Sequence, residues 1–381
     1  MTGFVRRVLS YFNARSKMMR ISSRMKSKIT LTVLLLLAVM TNFTARPQEA
    51  SQTITVCPEG PPVCQFQRIQ DAINASPDGA TIEVGPGTYQ ENLFIFHSLK
   101  LIGAGPDRTE IRSLSTVEGR DVILAYGGLT EEPIKVAIEG FKITGTPRGG
   151  QAIRMQRVFN VSLRNNEIIG GGILLQNVAL VEIQGNVFRD RYPFGGIGVE
   201  NSGLITIKDN IIQNNGAGID IRYTKEVNIY NNTILGNRTL GINLTDVSQA
   251  SIASNTISDN GYDGISVMEF EGTISKNIIQ NNNWNGIELD LKSKATVTNN
   301  MIEMNGKSGI YVLDETVRAS FEANTIRDNQ RYGIWVASLK NVTICRLNRV
   351  EGNKMGDYAV GPSYPLPPPS EELRQLCEGG E

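Results

Sequence analysis

The chain has 381 residues, of which 40% are hydrophobic and 20% charged, so it is too long and too apolar to be disordered. Basic and acidic residues number 38 each, but nine of the basic ones lie in positions 1–46, where there is no acidic residue. Removing those nine from the 38 leaves 29 basic against 38 acidic residues, which excludes a protein that tracks nucleic-acid phosphates. A single histidine also excludes mechanisms and metal sites that need two.

The N-terminal region contains a basic stretch followed by an apolar run of 12 residues, Ile29–Met40. The run is too short to cross a hydrocarbon core of about 30 Å, and this order of segments is typical of a secretory signal. We therefore predict a signal peptide over residues 1–46, translated from Met1, Met19 or Met25, with no stable membrane span after its removal. An uncleaved anchor is the alternative. The predicted location is extracellular or periplasmic.

Four cysteines lie near the two ends of the remaining chain, as expected of a protein exported to an oxidising compartment. Cys57 and Cys64 flank a loop rich in proline and glycine, whereas Cys345 and Cys377 lie near the C-terminus. Of the three pairings we favour Cys57–Cys64 and Cys345–Cys377, since each joins one end of the chain to itself. A zinc site is the alternative, but the spacing lacks paired C-x₂-C motifs, so no metal site is predicted.

The rest of the sequence is repetitive. The string N-x-I/V-x-x-N recurs at intervals of 22 to 24 residues, beginning at Asn210, Asn232, Asn255, Asn277, Asn300, Asn324 and Asn348. A second string, G-I-x-V/I/L, recurs in phase with it at Gly172, Gly196, Gly218, Gly241, Gly264, Gly286, Gly309 and Gly333. Two patterns in phase over about eight units predict a solenoid.

One repeat unit, Gly218–Asn237, shows how a single coil is built. Branched residues lie two apart at Ile219 and Ile221 and again at Val227 and Ile229, which is the spacing of short strands. Three such strands with no room for a helix predict one triangular coil of a parallel β-structure. We predict about eleven coils, and at a stacking distance of about 4.8 Å they form a rod of roughly 50 Å. Leucine-rich repeats have a similar period, but their L-x-L core is absent.

The seven repeated asparagines are predicted to have a structural role. Asparagine tolerates a left-handed backbone better than other residues except glycine, so we expect each one at a sharp corner before a strand. When the coils are stacked, each amide can donate to and accept from its neighbours, which forms a ladder. We therefore do not assign these asparagines to catalysis.

The repeat resembles the right-handed parallel β-helix of the pectin-lyase-like superfamily, and in style it is nearest to the NosD-like periplasmic branch and to uncharacterised secreted repeat proteins. Gln65–Leu93 is also similar to the cap and first coil of that superfamily. The resemblance implies an all-β, single-stranded right-handed β-helix over residues 81–356. It also implies an N-terminal cap with a helix over residues 47–80, and a Pro-rich C-terminal tail follows over residues 357–381.

The predicted cap helix is amphipathic, because Phe66, Ile69, Ala72 and Ile73 lie on one helical face. It would close the N-terminal end of the rod, where strand edges and apolar residues would otherwise be exposed. At the other end, the proline-rich tail cannot continue the sheet, because proline lacks the N–H that a strand requires.

The enzymatic signatures of the superfamily are incomplete in this sequence. Gly87–Glu91 matches a pectin methylesterase motif, but the later Asp-containing motifs of that enzyme are missing. The Gly-His-Gly of galacturonases and the Asp-Pro-His-Asp of alginate epimerases are absent, and His97 is predicted to be a cap or core-edge residue. Pectate lyases use Ca²⁺ carboxylates with an Arg or Lys base, so residue types leave that alternative open. No cofactor is predicted, because Asp and Glu side chains aligned on successive coils would form only a generic Ca²⁺ site.

Strand alternation places the residue between the two inward positions of G-I-x-V on the outer surface of the rod. This column and the next bring Glu200, Asp220 and Arg222 onto neighbouring coils, with Glu288 three coils further on. In the superfamily this face often carries the saccharide groove, so these four are the candidate catalytic residues. The alternative is that they are ordinary solvated residues of an acidic surface.

Aromatic residues lie near the same face. Exposed flat rings suit stacking on sugars, and the predicted carbohydrate-binding residues are Tyr262, Trp284, Tyr311, Tyr332 and Trp335. The alternative is that these rings shield strand edges and reflect the β propensity of aromatic residues.

The sequence therefore predicts a secreted β-helix protein that recognises an extracellular or cell-surface polysaccharide along one face of the rod. A polysaccharide lyase or glycoside hydrolase is one alternative, and a structural or adhesion protein without catalysis is another. The predicted partner is a polysaccharide rather than a nucleic acid.

Overall fold

The computed structural model describes residues 53–114, 119–129, 132–145, 150–344, 347–363 and 365–378. The predicted leader and Cys345 lie outside these residues, so the signal peptide and the Cys345–Cys377 disulfide remain predictions. In the described residues the chain winds as a parallel β-solenoid with three faces, as predicted. Its smaller sheet contains twelve strands, one for each coil, against the eleven or so coils predicted.

Each of the twelve coils contributes one strand to each face, β1 adds a thirteenth strand to face 2, and faces 1 and 2 share a continuous sheet. Face 1 consists of β4 (Leu93–Ile95), β7 (Ile123–Tyr126), β10 (Ile153–Gln156), β13 (Ile173–Gln176), β16 (Ile197–Glu200), β19 (Ile219–Thr224), the first parts of β22 (Ile242–Ala253) and β24 (Ile265–Ser275), β26 (Ile287–Asp290), β29 (Ile310–Val312), β32 (Tyr332–Val336) and β35 (Gly356–Val360). Face 2 consists of β1 (Thr53–Val56), β2 (Ala80–Val84), β5 (Leu99–Gly103), β8 (Lys135–Glu139), β11 (Asn160–Arg164), β14 (Leu180–Gln184), β17 (Leu204–Lys208), β20 (Glu226–Tyr230), the second parts of β22 and β24, β27 (Lys294–Thr298), β30 (Arg318–Glu322) and β33 (Val342–Thr343). Face 3 consists of β3 (Gly87–Gln90), β6 (Thr109–Arg112), β9 (Lys142–Thr144), β12 (Glu167–Ile169), β15 (Val187–Arg189), β18 (Ile211–Gln213), β21 (Thr233–Leu235), β23 (Thr256–Ser258), β25 (Ile278–Gln280), β28 (Met301–Glu303), β31 (Thr325–Arg327) and β34 (Arg349–Glu351).

Branched aliphatic side chains fill the interior of the solenoid. On face 1, strand pairing aligns Ile219, Ile242 and Ile265, and all three are completely buried. Strand alternation turns every second side chain inward, so each coil adds a layer to this stack. The aromatic side chains of Phe188 and Phe321 are also completely buried. The core therefore runs along the solenoid, and the residues between the inward positions are left for the surface.

A ladder of asparagine amides runs along the corner between faces 2 and 3. Asn210 Nδ2 donates to Asn232 Oδ1 at 2.9 Å, and Asn232 Nδ2 donates to Asn255 Oδ1 at 3.0 Å. Equivalent bonds join all the members, which are Asn166, Asn186, Asn210, Asn232, Asn255, Asn277, Asn300, Asn324 and Asn348. Each buried amide thus has partners, without which its burial would be unfavourable.

A second ladder, which was not predicted, runs along the corner between faces 3 and 1. Its members are Asn215, Asn237, Asn260, Asn282, Asn305, Asn329 and Asn353. They are the sixth residues of the N-x-I/V-x-x-N strings. Each of these seven strings therefore contributes one asparagine to each ladder.

The left-handed corner lies one residue before the ladder asparagine. Asp209 and Asn231 have φ values of 58° and 57°, whereas Asn210 and Asn232, which follow them, are not in this region. The expectation that the ladder asparagines themselves adopt this conformation is wrong. The chain needs two adjacent residues at the corner, one to reverse its direction and the next to direct an amide into the interior.

The N-terminal end is closed by helix α1 (Ile69–Ala75), as the sequence predicts, but Phe66, which was predicted to lie on its apolar face, precedes the helix and forms a β-bridge with Val56. Its buried residues Ile69, Ala72 and Ile73 pack against the first coil. The carboxylate of Glu91 accepts hydrogen bonds from the backbone N–H groups of Ile69 at 2.8 Å and Gln70 at 3.0 Å. These contacts satisfy N–H groups that have no partner inside the helix and favour the negative charge at its N-terminus.

The solenoid extends slightly beyond its predicted limits. β1 lies within residues 47–80 and pairs with β2, next to the predicted Cys57–Cys64 disulfide, which is present. β35 lies mostly within the predicted tail, residues 357–381, and pairs with β32, and helix α2 (Glu371–Glu378) follows it. Among the described residues, no helix is long and apolar enough to span a membrane.

Candidate functional site on face 1

The outer surface of face 1 contains the four residues predicted as catalytic candidates. Strand pairing aligns Gly198 with Asp220 and Glu200 with Arg222, so the three upstream candidates lie on neighbouring coils. The same register continues for three more coils to Glu288. The structure therefore separates the candidates into two groups. Glu200, Asp220 and Arg222 line what we call the upstream hollow, and Glu288 belongs to what we call the downstream cluster.

The upstream hollow is a cavity of about 150 Å³ on face 1. Gly198 lies between Leu174 and Asp220 in the outward column, and because glycine has no side chain it leaves space between these two neighbours. The polar side chains that line the hollow are Gln151, Arg191, Glu200, Asp220 and Arg222. The cavity is thus large enough for a small group and has both cationic and anionic walls.

The carboxylates of the upstream hollow already have partners. Arg222 Nε and Nη2 lie 3.1 and 2.7 Å from the two oxygens of Asp220. Gln176 Nε2 donates to Glu200 at 2.8 Å. The hydrogen bond and charge of Asp220 raise the pKa of Arg222 above its usual value. Because Asp220 and Arg222 neutralise each other, this group is better suited to binding than to proton transfer.

Arg191 lines the same hollow and is only 2% exposed. Its backbone N–H donates to Asn215 Oδ1 at 3.2 Å, as that of a ladder asparagine would. Arg191 is the sixth residue of the N-V-F-R-D-R string that begins at Asn186, so it replaces an asparagine of the second ladder. The sequence interpretation missed it, although the departure of this string from the repeat was a visible signal.

The downstream cluster consists of Asp263, Asn285, Glu288 and Lys307. The backbone N–H of Asn285 donates to Asp263 Oδ1 at 2.8 Å, and its side-chain amide donates to Glu288 Oε2 at 3.1 Å. Asp263 and Asn285 are each 3% exposed. Asn285 therefore bridges two carboxylates from neighbouring coils. Only Glu288 was a sequence candidate, because Asp263 and Asn285 resemble ordinary turn residues before the G-I strings.

The ionisable groups of the downstream cluster have shifted pKa values. Burial, together with the nearby negative charges of Asp263 and Asp290, raises the pKa of Glu288 to about 7. Burial also raises the pKa of Asp263. Burial lowers the pKa of Lys307, and the charge of Arg331 adds to this effect. Such a group of shifted acids and bases is typical of functional sites.

An aromatic platform, formed by Tyr262 and Trp284, lies beside the downstream cluster. The two ring centroids are 4.7 Å apart, and the residues are 42% and 40% exposed. Lys307 Nζ lies 3.3 Å from the centroid of the Trp284 ring, which is a cation–π contact. Lys307 therefore belongs to both the platform and the cluster.

The other three predicted sugar-binding aromatics are not on the surface. Tyr311, Tyr332 and Trp335 are 8%, 1% and 3% exposed. Trp335 Nε1 donates to Gly361 O at 3.1 Å, and Tyr332 Oη donates to Pro367 O, so the C-terminal segment covers them. The expectation that they face solvent is wrong, because strand alternation does not reveal which later segment crosses a face.

Two further sequence interpretations concern metals and the histidine. No group of three or more His, Cys, Asp and Glu side chains within the described residues is arranged to hold a metal ion. His97 lies at the cap, where its Nε2 is 2.9 Å from Ser76 Oγ, and burial lowers its pKa. It takes no part in the site on face 1.

Comparisons with known proteins agree with this fold. Residues 151–272 and 250–364 match the family described as Right handed beta helix region, and together they cover more than half of the chain. No curated protein sequence matches significantly. The structure resembles the A-module of the Azotobacter vinelandii mannuronan C-5 epimerase AlgE4, with 18% identity, a TM-score of 0.59, and coverage of 79% of this chain and 94% of that one.

Two further structures are similar at low identity. The periplasmic alginate epimerase AlgG has 17% identity and a TM-score of 0.58, with coverage of 77% of this chain and 82% of that one. The Dettilon tailspike protein has 14% identity and a TM-score of 0.60, with coverage of 80% and 68%. At such identities these likenesses show the fold alone. Because the family match spans most of the coils, the chain belongs to the right-handed β-helix family.

Proposed function

We propose that the protein binds a polysaccharide of the cell surface or extracellular space along face 1. The observation that carries this proposal is the aromatic platform of Tyr262 and Trp284, which stays exposed beside the downstream cluster with its buried Asp263 and half-buried Glu288. Exposed flat rings are unfavourable in water and suit the CH-rich faces of sugars. Lys307, which contacts Trp284, offers N–H donors to sugar oxygens at the same place.

The extent of face 1 supports an extended ligand. The upstream hollow and the downstream cluster are three coils apart, which is roughly 14 Å at about 4.8 Å per coil. Beyond Tyr311 the C-terminal segment covers the face. The open surface between these limits is long enough for an oligosaccharide rather than a single sugar.

The comparisons support the same class of partner. Two of the similar structures are named as epimerases of mannuronan and alginate, which are polysaccharides. The Cys57–Cys64 disulfide and the periplasmic location named for one of these proteins support secretion to the periplasm or the extracellular space.

Tryptophan fluorescence tests the proposal, because the chain has two tryptophans and only Trp284 is exposed. We expect a saturable change when alginate, dextran sulfate or neutral dextran oligosaccharides are added. Trp284→Ala should weaken binding measured by calorimetry about tenfold or more. Phe159→Ala, which removes another exposed aromatic ring away from the platform, should bind as the wild type does. If the Trp284 variant binds as tightly as the wild type, the platform is excluded as the binding site.

A second candidate function, a polysaccharide lyase or glycoside hydrolase, is favoured by Glu288. A carboxylic acid with a pKa of about 7 is suited to accept or donate a proton at neutral pH. The test is to incubate the same polysaccharides with the protein and to measure reducing ends and unsaturated products. Glu288→Gln should retain binding and lose at least about 100-fold in rate. If the protein binds polysaccharides but forms no products, its role is recognition. If it neither binds nor cleaves them, a structural or adhesion role is left.

A further inference from the structure

We propose that the upstream hollow holds an anionic substituent of an acidic polysaccharide, a carboxylate or a sulfate ester, with Arg191 as the cation that binds it. This inference rests on the proposed function and specifies the chemical class of the ligand. It concerns a residue that the repeat pattern does not explain and a cavity separate from the aromatic platform.

Arg191 is a buried cation without an anionic partner. It is 2% exposed, its Nε has no hydrogen-bond partner, and its Nη1 donates to Gly150 O at a long 3.4 Å. Its guanidinium lies 5.0 Å from the ring of Phe194. No carboxylate in the part of the chain that the structure describes forms an ion pair with it. Buried charges are normally paired, because an unpaired one is strongly unfavourable.

The electrostatics of the region agree with an uncompensated charge. Burial lowers the pKa of Arg191 to about 10, Asp121 opposes this shift, and Arg154 adds to it. Asp121 is already paired with Arg154, whose Nε lies 2.7 Å from Asp121 Oδ2. An anion that entered the hollow would therefore supply the missing partner.

The position of Arg191 in the fold makes its presence unfavourable for structure alone. At the equivalent positions of later coils, asparagines continue the second ladder, as Asn215 does by donating to Asn237 Oδ1 at 3.2 Å. Asparagine at position 191 would extend that ladder by one coil and would bury no charge. Departures of this kind from an otherwise consistent pattern are expected at functional sites.

The rest of the hollow suits an acidic sugar. Asp220 is neutralised by Arg222, and Gly198 leaves the space open. The oxygens of Glu200 and Asp220 can still accept hydrogen bonds from sugar hydroxyls, while Arg191 donates to the anionic group. The volume of about 150 Å³ suits a small substituent while the polymer crosses outside.

Two variants test this inference. Arg191→Asn restores the ladder residue and removes the cation, and Gly198→Leu fills the hollow without touching Arg191. The φ of Gly198 lies outside the left-handed region, and an added Cβ would meet the flexible end of Leu174 at 3.3 Å and Ile173 O at an ordinary 3.5 Å, so the second variant is expected to fold. Arg349→Asn, at a position 72% exposed on face 3, removes the same charge elsewhere and serves as the control.

Binding is measured by calorimetry with alginate, dextran sulfate and neutral dextran oligosaccharides, after circular dichroism has shown that each variant is folded. We expect both variants to bind the preferred acidic ligand about 10- to 100-fold more weakly, as for the loss of a charge-assisted hydrogen bond, and to bind neutral dextran unchanged. The control should bind as the wild type does. The ratio of the affinities for alginate and dextran sulfate identifies the carboxylate or the sulfate as the recognised group.

The outcomes separate this inference from the proposed function. If the wild type binds polysaccharides and Trp284→Ala weakens binding, but both hollow variants bind the acidic ligands normally, the anionic subsite is overturned and the proposed function stands. If the wild type prefers neutral dextran, the subsite is overturned as well. If the wild type binds none of the polysaccharides, both proposals fail.

Discussion

The side-chain amide of Asn285 donates to Glu288 Oε2 at 3.1 Å. The backbone N–H of the same residue donates to Asp263, so one asparagine holds two carboxyl groups. Burial disfavours the ionised form of both. At neutral pH the folded protein therefore keeps Glu288 partly protonated, whereas the same side chain in the unfolded chain would be ionised. This relationship makes both the stability and any chemistry of the site depend on pH.

We expect the protein to lose stability as the pH rises from about 5 to about 8. Folded Glu288 has a pKa of about 7, against an ordinary value of 4.5. Between these values the folded state binds more protons than the unfolded state, so the stabilising effect is complete below the lower value and is lost as the pH passes the higher one. Urea denaturation at the two pH values should differ by on the order of 1–3 kcal/mol from this group.

Glu288→Gln is the matched variant for this prediction, since a neutral amide resembles the protonated acid. It should be more stable than the wild type at the higher pH and show a flatter dependence. Glu226→Gln, at an exposed position on face 2, should keep the wild-type profile. An unchanged pH dependence in Glu288→Gln would show that another group is responsible.

Adjacent residues at one corner should respond oppositely to substitution. Asn232 Nδ2 donates to Ile207 O at 2.9 Å and to Asn255 Oδ1 at 3.0 Å, so Asn232→Ala should lower the free energy of unfolding by about 2–4 kcal/mol. Asn231 has the left-handed φ of 57°, which glycine adopts freely. Asn231→Gly should therefore change the free energy of unfolding by less than about 0.5 kcal/mol. Chemical denaturation measures both, and similar losses would contradict the separation of corner and ladder roles.

Removal of residues 361–381 should expose the aromatic residues at the end of face 1. Trp335 loses its bond to Gly361, and Tyr332 loses its bond to Pro367. In a Trp284→Phe background only Trp335 emits, so its emission should shift to longer wavelength and become accessible to iodide. The full-length Trp284→Phe protein is the control. A protected Trp335 after truncation would mean that the segment does not shield it.

Arg191→Asn should raise stability while it weakens binding of acidic ligands. The variant removes an unpaired buried charge and extends the second ladder by one coil, which we expect to add about 1–3 kcal/mol to the free energy of unfolding. Arg349→Asn, at its exposed position, should stay within about 0.5 kcal/mol of the wild type. A lower melting temperature for Arg191→Asn would indicate that the arginine has a structural role.

Much of the fold and part of the site could be predicted from the sequence, because every coil repeats the same local requirements. Branched residues such as Ile219 turn inward by strand alternation, and an asparagine returns at each corner. The period of the repeat then sets the register between coils. For this reason the neighbourhood of Asp220, Glu200 and Arg222 followed from counting alone.

Burial of the outward positions and the grouping of charges were decided only by the tertiary structure. Trp284 and Trp335 were both predicted to lie at the surface, yet the C-terminal segment covers one and leaves the other open. Asp263 became notable only when neighbouring coils enclosed it, and the burial of Arg191, which the departure from the repeat did not reveal, has the same origin. Local periodicity determines the strands and their register, whereas solvent exposure and pKa depend on atoms that residues distant in the sequence supply.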